Sequence, residues 1–394
     1  MIAASGADLT IFAIVVLVRL LAPLLIFRFP LPAIIVCLDV DAADQTIFQQ
    51  FTDLDLTSYQ GYDKALDIYY LTIAFVATMK NWANPFAFQV ARFLWYYRLV
   101  GVTAFELTQQ RWMLLVFANT FEYMFIFYEG VRTSWNPARL GRKGVLLATA
   151  GIWIFIKLPQ EWWIHVAQLD FTDFMKEDVF GVEATASWGD AFSNRPAVTA
   201  FLLVAIVGLV VAAWIGARRL PPRDWKFTLD ADVVSRHLGW TALPRPGAWT
   251  EPVRGWATLE KIALITLVTV IFSQMLPGTE VSGLRIAAGV TVLVVANAGM
   301  ATWRARRELE WGSTFARFVA LSAVNLGLLG LFSWLVNRGD DEFNVGGGLF
   351  FAMLISLIIV LFDRYRRIRS ARLAALGAPD DANPTVGLDR VSPT

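Results

Sequence analysis

Ionisable side chains recur inside segments of the first 180 residues that are otherwise apolar. They are Arg19, Arg98, Glu122, Lys157, Glu161 and His165. An unpaired charge at the centre of a bilayer costs roughly 3 kcal/mol or more. We therefore predict that these side chains meet one another at mid-depth of a membrane bundle, in a polar site that forms a substrate or ion pathway.

Arg98 and Glu122 are the first pair to consider, because each falls near the middle of a predicted span and the two spans are neighbours in sequence. If the two helices run antiparallel, each side chain neutralises the other. Such a pair can switch partners when a solute or proton binds, or it can be a structural pair that fixes the register of the helices. Asn119, Glu122 and Glu129 share one helical stripe, which we expect to face protein or water.

Lys157, Glu161 and His165 follow one another at intervals of four residues, so a helix places them on one face. Pro159 inside this run predicts a kink or a freed carbonyl group. Near the outer surface, His165 is either a satisfied interfacial residue or a proton relay through Glu161.

The balance of deep charge favours an anionic guest at this stage. Arg19, Arg98 and Lys157 outnumber Glu122 and Glu161 by one. A phosphate group or a carboxylate would neutralise that excess, unless Asp67 and Glu106 also reach inward.

Acidic residues follow the first predicted span. Asp39 and Asp41, with Asp44, could supply a catalytic base or oxygen ligands for a divalent cation, or they could form a solvated acidic loop. In this position the pair resembles the acidic residues of extracytoplasmic glycosyltransferases that use lipid-linked sugars. The resemblance covers only these positions and implies a transferase acting at the outer leaflet.

Composition limits the class of protein. Of the 394 residues, 56% are hydrophobic and only 17% are charged, which is typical of a membrane protein. The net charge of +1 gives no reason to expect a nucleic-acid partner. One cysteine and two histidines argue against zinc or bis-His haem sites, and no nucleotide-binding or metalloprotease motif is present, so we expect no metal and no cofactor.

The predicted fold is all-α, a polytopic transmembrane helical bundle of about ten spans with both termini in the cytoplasm. The spans lie near residues 9–28, 64–82, 86–108, 112–130, 144–164, 197–217, 257–276, 281–302, 314–336 and 346–364. Lys and Arg collect in alternate loops and Asp and Glu in the others, which sets the orientation. Residues 29–40 either extend the first span past a proline kink or form a short re-entrant or interfacial helix.

Polarity divides the chain into three regions. Residues 1–180 form a polar-lined bundle of five spans that holds the predicted site. Residues 181–372 form a more apolar scaffold of five spans, interrupted by an interfacial segment at 218–256. Residues 373–394 are rich in Ala, Pro, Asp and Gly and are expected to be a disordered cytoplasmic tail.

Three functional hypotheses follow. The first is a transporter or ion-translocating protein of the cytoplasmic membrane, which binds a small ion, an anionic solute or a lipid headgroup. The second is a membrane-embedded transferase that acts on a lipid-phosphate-linked substrate. The third is a non-catalytic subunit of a membrane complex, or a homo-oligomer, in which the polar residues form an interface. The sequence does not decide whether the protein is an enzyme.

Overall fold

The computed structural model describes residues 6–52, 59–169, 171–244, 255–275, 283–307, 313–337 and 345–377. Within these ranges the regular structure is entirely helical. Four helices are long and apolar enough to cross a membrane, which indicates an all-helical membrane protein; they are Gly6–Phe27, Pro196–Arg218, Thr314–Leu331 and Gly348–Ala375. They fall in predicted spans one, six, nine and ten, and the larger count of about ten stays a prediction.

The α-helices of the described residues are numbered in chain order. They are α1 (Gly6–Leu21), α2 (Pro30–Phe51), α3 (Tyr59–Asn81), α4 (Pro85–Thr108), α5 (Trp112–Val116), α6 (Thr120–Arg132), α7 (Gly141–Ile152), α8 (Leu158–Glu161), α9 (Phe171–Phe174), α10 (Trp188–Asn194), α11 (Pro196–Arg218), α12 (Ala231–His237), α13 (Trp256–Met275), α14 (Gly283–Arg306), α15 (Thr314–Asn337) and α16 (Val345–Ala375). Short 3-10 helices cover Ala22–Phe27 and Pro137–Leu140, and π-helices cover Trp153–Lys157, Trp162–Val166 and Met175–Phe180.

Residues 30–51, which the sequence places partly in an acidic loop, form a continuous helix, α2, that is long enough to cross a membrane. It begins at Pro30, a residue that lacks an N–H and therefore suits a first helical turn, and it continues for 22 residues. Arg19 of α1 binds Asp44 of α2, and the rings of Phe12 and Phe48 lie 5.6 Å apart, so the two helices are antiparallel. Residues 29–40 thus neither extend the first span nor form a short re-entrant helix.

This additional helix changes the direction of α1 relative to the helices that follow α2. Helix α3 runs parallel to α1, because the Tyr69 hydroxyl donates to the Leu20 carbonyl (2.8 Å) and Lys80 Nζ donates to the Phe27 carbonyl (2.8 Å). The end of α16 lies beside the end of α3, where Arg369 donates to the Trp82 carbonyl (2.6 Å). The start of α1 and the end of α16 therefore lie at opposite ends of the bundle. For the described residues, this arrangement differs from the predicted one, in which both termini share one side.

Helix α3 is the centre of the packed core. It is buried almost without interruption from Leu66 to Met79, and it packs against α2, α4, α13 and α16. Burial on all sides explains why its sequence carries apolar and small residues around its whole circumference. The second half of the chain has polar contacts of its own: Asp363 of α16 binds Lys261 of α13 (2.9 Å) and Arg317 of α15 (2.5 Å).

Helix α11 differs from the others because none of its residues is buried within the described chain. It is apolar on every side, which suits contact with lipid or with another protein. Pro196 occupies its first position, where the missing N–H costs nothing.

Residues 219–244, which we call the strap, cross the end of the bundle where α3 and α6 finish. Asp224 N donates to the Ser134 carbonyl (2.9 Å), and Ala231 N donates to the Arg28 carbonyl (2.8 Å). The indole of Trp240 is fully buried and donates to the Lys80 carbonyl (2.9 Å). The predicted interfacial segment is therefore bound to the bundle over the part of it that the structure describes.

Some predictions concern residues outside the described ranges. They include the acidic residues Asp53, Asp55, Asp170, Asp340, Asp341 and Glu342 and the tail residues 378–394. The first residues of the predicted tail, up to Ala375, belong to α16 and are helical.

Candidate functional site

A helix break between α5 and α6 lies at the centre of the first half of the chain. Phe117 and Asn119 leave the helical conformation, with φ/ψ of −94°/49° and −73°/66°. The backbone groups exposed by the break are satisfied by α4, since the Tyr97 hydroxyl donates to the Val116 carbonyl (2.6 Å) and Arg98 Nη1 donates to the Phe117 carbonyl (3.2 Å). Non-helical backbone at membrane depth requires such partners.

The close approach of the break to α4 depends on Gly101. A Cβ atom built on Gly101 would overlap the side chain of Phe117, so a larger residue would push the break away from α4. Asn119 is then the N-cap of α6, and Glu122 lies in the first turn of that helix. The positive end of the helix dipole therefore faces a carboxylate at this point.

The facing helix is also irregular. After α7, the π-helix Trp153–Lys157, the short helix α8 and the π-helix Trp162–Val166 form one continuous run. Pro159 in α8 has no N–H to donate, which is one physical reason for the widened turns around it. π-Helical turns are rare in proteins, and those that occur are often found at functional sites. Lys157, Glu161 and His165 lie in this run, as their spacing of four predicted.

The two irregular helices bring four charged residues into one buried cluster. Lys157 Nζ lies 3.6 Å from Glu122 Oε2, and Arg98 Nη1 lies 3.8 Å from Glu161 Oε1. Glu122, Lys157 and Glu161 are each only 4% exposed. The predicted residues thus meet, but the hypothetical Arg98–Glu122 pair is wrong. Each of the two residues has a partner on the run that follows α7.

Neutral groups complete this cluster. The Tyr70 hydroxyl of α3 donates to Glu122 Oε1, and Asn119 Nδ2 donates to Glu122 Oε2 (3.1 Å). The backbone N–H of Asn119 donates to Glu161 Oε1 (3.1 Å), and His165 Nε2 lies 3.0 Å from Glu161 Oε2. Glu122 and Glu161 therefore each contact both a cationic side chain and neutral hydrogen-bond donors. Charged groups at this depth require such contacts.

Glu129 does not belong to this cluster, although it shares a predicted stripe with Asn119 and Glu122. Its carboxylate accepts hydrogen bonds from Trp82 Nε1 (2.7 Å) and Arg132 Nη1 (2.5 and 2.7 Å), two turns closer to the strap.

A second cluster surrounds Arg19. Its guanidinium binds Asp41 and Asp44 of α2, and its Nη2 also lies 3.0 Å from Asp67 Oδ1 of α3. Asp44 is completely buried, whereas the side chains of Asp41 and Asp67 are 24% and 34% exposed. Asp41 and Asp44 are three residues apart and therefore share one face of α2. The sequence analysis missed this signal because it assigned these residues to a loop.

Asp67 and Tyr70 connect the two clusters. They are one turn apart on α3, and Asp67 binds Arg19 while Tyr70 binds Glu122. A sequence of polar groups therefore runs from α1 and α2, across α3, to α6 and the run after α7. The sequence does not identify Tyr70 as a partner of Glu122, because an isolated tyrosine in an apolar helix gives no signal.

Three added carboxylates change the charge balance of the deep set. Arg19, Arg98 and Lys157 face five carboxylates, since Asp41, Asp44 and Asp67 join Glu122 and Glu161. Among the described residues, and with His165 neutral, the set has two more formal negative charges than positive ones. The net positive set that the sequence predicted is therefore not found among these residues, and the anionic guest stays a prediction.

Asp39 and Asp41 do not converge on one site. Asp39 is exposed, and a spacing of two residues places it on the opposite side of α2 from Asp41, which binds Arg19. Among the described residues, no group of three or more His, Cys, Asp or Glu side chains is arranged to hold a metal ion.

Access to the clusters differs between the two ends of the bundle. At the end opposite the strap, the side chains of Asp41, Asp67 and His165 are 24%, 34% and 21% exposed. Toward the strap, α3 and α6 close around Trp82 and Tyr128, whose rings lie 3.9 Å apart and are essentially inaccessible. Within the described residues, the clusters are thus partly accessible away from the strap and closed toward it.

Comparisons with known proteins identify no relative. Protein-family models, curated proteins and solved structures were each compared with this chain, and none of them matches.

Proposed function

We propose that the protein is a multi-pass transporter or ion-translocating protein of the cytoplasmic membrane, and that it moves a small cation, with the proton as the simplest case. The observation that carries this proposal is the meeting of a broken helix and a π-helical run around buried, exchangeable ion pairs. Discontinuous helices at mid-depth supply the ion and substrate sites of many transporters.

The charge balance supports a cation as the guest. Among the described residues, five carboxylates face three cationic side chains, and a net negative charge of this kind is costly in a bilayer and is neutralised when a cation binds. A cation arriving at Asp41 or Asp67 competes with Arg19. A proton arriving at Glu122 or Glu161 weakens that residue's attraction for Lys157 or Arg98, which then changes partner.

The proposed topology has eleven passes, with the start of α1 outside and the end of α16 in the cytoplasm. The passes are α1, α2, α3, α4, α5 with α6, α7 with its π-helical run, α11, α13, α14, α15 and α16. Arg28, Lys80, Arg139 and Arg372 all lie at the strap end of the bundle. Positive residues favour the cytoplasmic side, so we assign the strap to that side.

In this topology the described conformation is open to the outside and closed to the cytoplasm. The strap is attached by ion pairs between Arg28 and Asp230 (3.2 Å) and between Lys80 and Asp232 (2.7 Å). Passage of an ion to the cytoplasm then requires α3 and α6 to separate near Trp82, with the strap released from their ends.

Flux measurements in proteoliposomes test this function. Purified protein is reconstituted, a pH gradient is imposed, and internal pH is followed with a trapped dye, with and without Na⁺ or K⁺. We expect cation flux above that of protein-free liposomes, and we expect Glu122→Gln to abolish it. Glu177→Gln, which changes an exposed carboxylate outside both clusters, is the matched control. Wild-type flux in Glu122→Gln would remove the cluster from the mechanism.

The transferase hypothesis has less support, because Asp39 and Asp41 lie on different sides of α2. Activity that requires a divalent cation and is lost in both Asp39→Ala and Asp41→Ala would restore it.

One observation favours a partner in the membrane. Helix α11 has no buried residue within the described chain, and Asp39 is an exposed carboxylate partway along α2. We propose that these surfaces contact a second copy of the chain or another subunit. Cross-linking through cysteines placed on α11, compared with cysteines on the buried face of α16, tests this, and a chain that remains monomeric in a bilayer would contradict it.

A further inference from the structure

A cleft lies between the strap and the ends of α2 and α6, away from both charged clusters. It is a narrow cleft, and its empty space together with the solvent at its mouth amounts to about 200 Å³. Its walls are formed by Pro30 and Leu31 of α2, by Glu129, Arg132 and Thr133 at the end of α6, and by Thr228, Leu229, Ala231 and Val234 of the strap and α12.

Arg132 is the unusual residue of this cleft. It is only 1% exposed, yet its Nε and Nη2 atoms have no hydrogen-bond partner among the described residues. Buried charged donors are normally satisfied, so an unsatisfied pair calls for an occupant.

The pairing of Arg132 with Glu129 leaves its bidentate edge unused. Both carboxylate oxygens of Glu129 accept from the single Nη1 atom, at 2.7 and 2.5 Å. In a bidentate pair, two guanidinium nitrogens each donate to one carboxylate oxygen, and no edge with two free donors remains beside them. Here the Nε and Nη2 edge, which matches two oxygens of one oxyanion, has no partner within the described chain.

The surroundings add a hydroxyl donor and positive charge. The Thr228 hydroxyl oxygen accepts from Asp230 N (3.2 Å), and within the described residues its own proton has no acceptor. Arg372 of α16 is close enough to Arg132 for their charges to interact, and Arg369 of α16 is close enough to Arg372 for the same. They donate to the carbonyl groups of Trp82 and Lys80 at the same end of the bundle. These features favour an anion in the cleft.

We infer that this cleft binds a phosphate group, through the Nε and Nη2 edge of Arg132 and the hydroxyl of Thr228. The phosphate group comes either from free inorganic phosphate or from the phosphomonoester headgroup of a lipid, since Pro30 and Leu31 begin a membrane-length helix at the same depth. The site is independent of the proposed transport function. A ligand there would contact α2, α6 and the strap together and stabilise their contact.

Thermal stability of the purified full-length protein in detergent tests the inference, with inorganic phosphate as the probe and chloride at equal ionic strength as the reference. We expect phosphate to stabilise the wild-type chain. Glu129→Gln/Arg132→Gln, which removes both charges of the pair together, should weaken phosphate binding on the order of tenfold or more. Thr228→Val should weaken it less, and Arg139→Gln, an exposed arginine bound to Asp224 outside the cleft, should leave it unchanged.

Glu129→Gln alone gives the sharpest outcome. It removes the negative charge beside Arg132 that repels phosphate, so we expect phosphate to bind more tightly, and damage to the fold would not produce that result. Thermal stability in nanodiscs with and without phosphatidic acid then identifies the source of the phosphate group. Stabilisation by this lipid but not by inorganic phosphate would show that the cleft binds a lipid headgroup. A phosphate response that is absent from the wild type in both settings, or unchanged in the double variant, overturns the inference and leaves water as the occupant.

Discussion

Lys157 Nζ lies 3.6 Å from Glu122 Oε2, and this contact joins a π-helical segment to the first turn of a helix that begins inside the bundle. Both residues are nearly inaccessible, with an exposed fraction of 4% each. Glu161, one turn further along the same run, binds Arg98 of α4. Two ion pairs thus lie in one buried cluster, in which Lys157 is close enough to both Glu122 and Glu161 for their charges to interact.

Double-mutant cycles measure the coupling free energy between two residues and therefore show which residues are paired. We expect Arg98→Gln and Glu161→Gln to be coupled in stability by about 0.5–3 kcal/mol, because residues in direct contact are not additive. Arg98→Gln and Glu122→Gln should be closer to additive. The measurement is thermal or denaturant unfolding of the four chains of each cycle in detergent. Stronger coupling of Arg98 to Glu122 than to Glu161 would contradict the described pairing.

Removal of Arg19 should destabilise the protein strongly. Arg19→Ala leaves Asp41, Asp44 and Asp67 without their shared cation, and loss of one member of a buried pair costs about 3–5 kcal/mol. Unfolding in detergent gives the size of the loss. Arg19→Ala/Asp44→Asn should recover part of it, because the completely buried carboxylate is then neutral. No recovery in the double variant would indicate that Arg19 acts through packing and not through charge.

The topology predicts labelling of the two ends of the bundle from opposite sides. In a Cys37→Ser background, a cysteine at Ala7 should react with a membrane-impermeant maleimide on intact cells. A cysteine at Leu376, just beyond α16, should react only after permeabilisation. Cys37 is the single native cysteine and is buried, so its replacement leaves a clean background. Equal labelling of both positions from one side would disprove the eleven-pass arrangement.

Acid should release the start of α12 from the bundle. Although burial acts to raise the pKa of Asp230, hydrogen bonds from Asp232 N (2.8 Å) and Arg28 (3.2 Å) outweigh it and hold that pKa below its usual value of 3.8. A carboxyl with a depressed pKa adds stability above its unfolded pKa, and this stability is lost as the pH falls through the folded pKa.

Amide hydrogen exchange of Asp232 and Val233, corrected for the intrinsic effect of pH, measures this release. We expect protection at neutral pH and its loss below about pH 3.8 in the wild type. Asp230→Asn cannot titrate there and should show no such step. A step of the same size in Asp230→Asn would assign the effect to another group.

The sequence by itself determined the class of the protein and most members of the site. Apolar runs of membrane length predicted a helical membrane protein, since a lipid environment forces each backbone segment to satisfy its own hydrogen bonds. The cost of buried charge singled out Arg19, Arg98, Glu122, Lys157 and Glu161, and all of them lie in the two clusters.

Only the tertiary structure decided which charges are partners and which way the helices run. Helix α2 carries Asp39, Asp41 and Asp44, so its sequence resembles an acidic loop, and the guanidinium of Arg19 on α1 compensates the burial of Asp44 and Asp41. One extra helix places the start of α1 at the end of the bundle opposite to the predicted one, and a spacing along one helix cannot specify the residue that faces it on another. The break at Phe117 likewise depends on hydrogen-bond donors from α4. The sequence of residues 112–132 alone therefore cannot predict it.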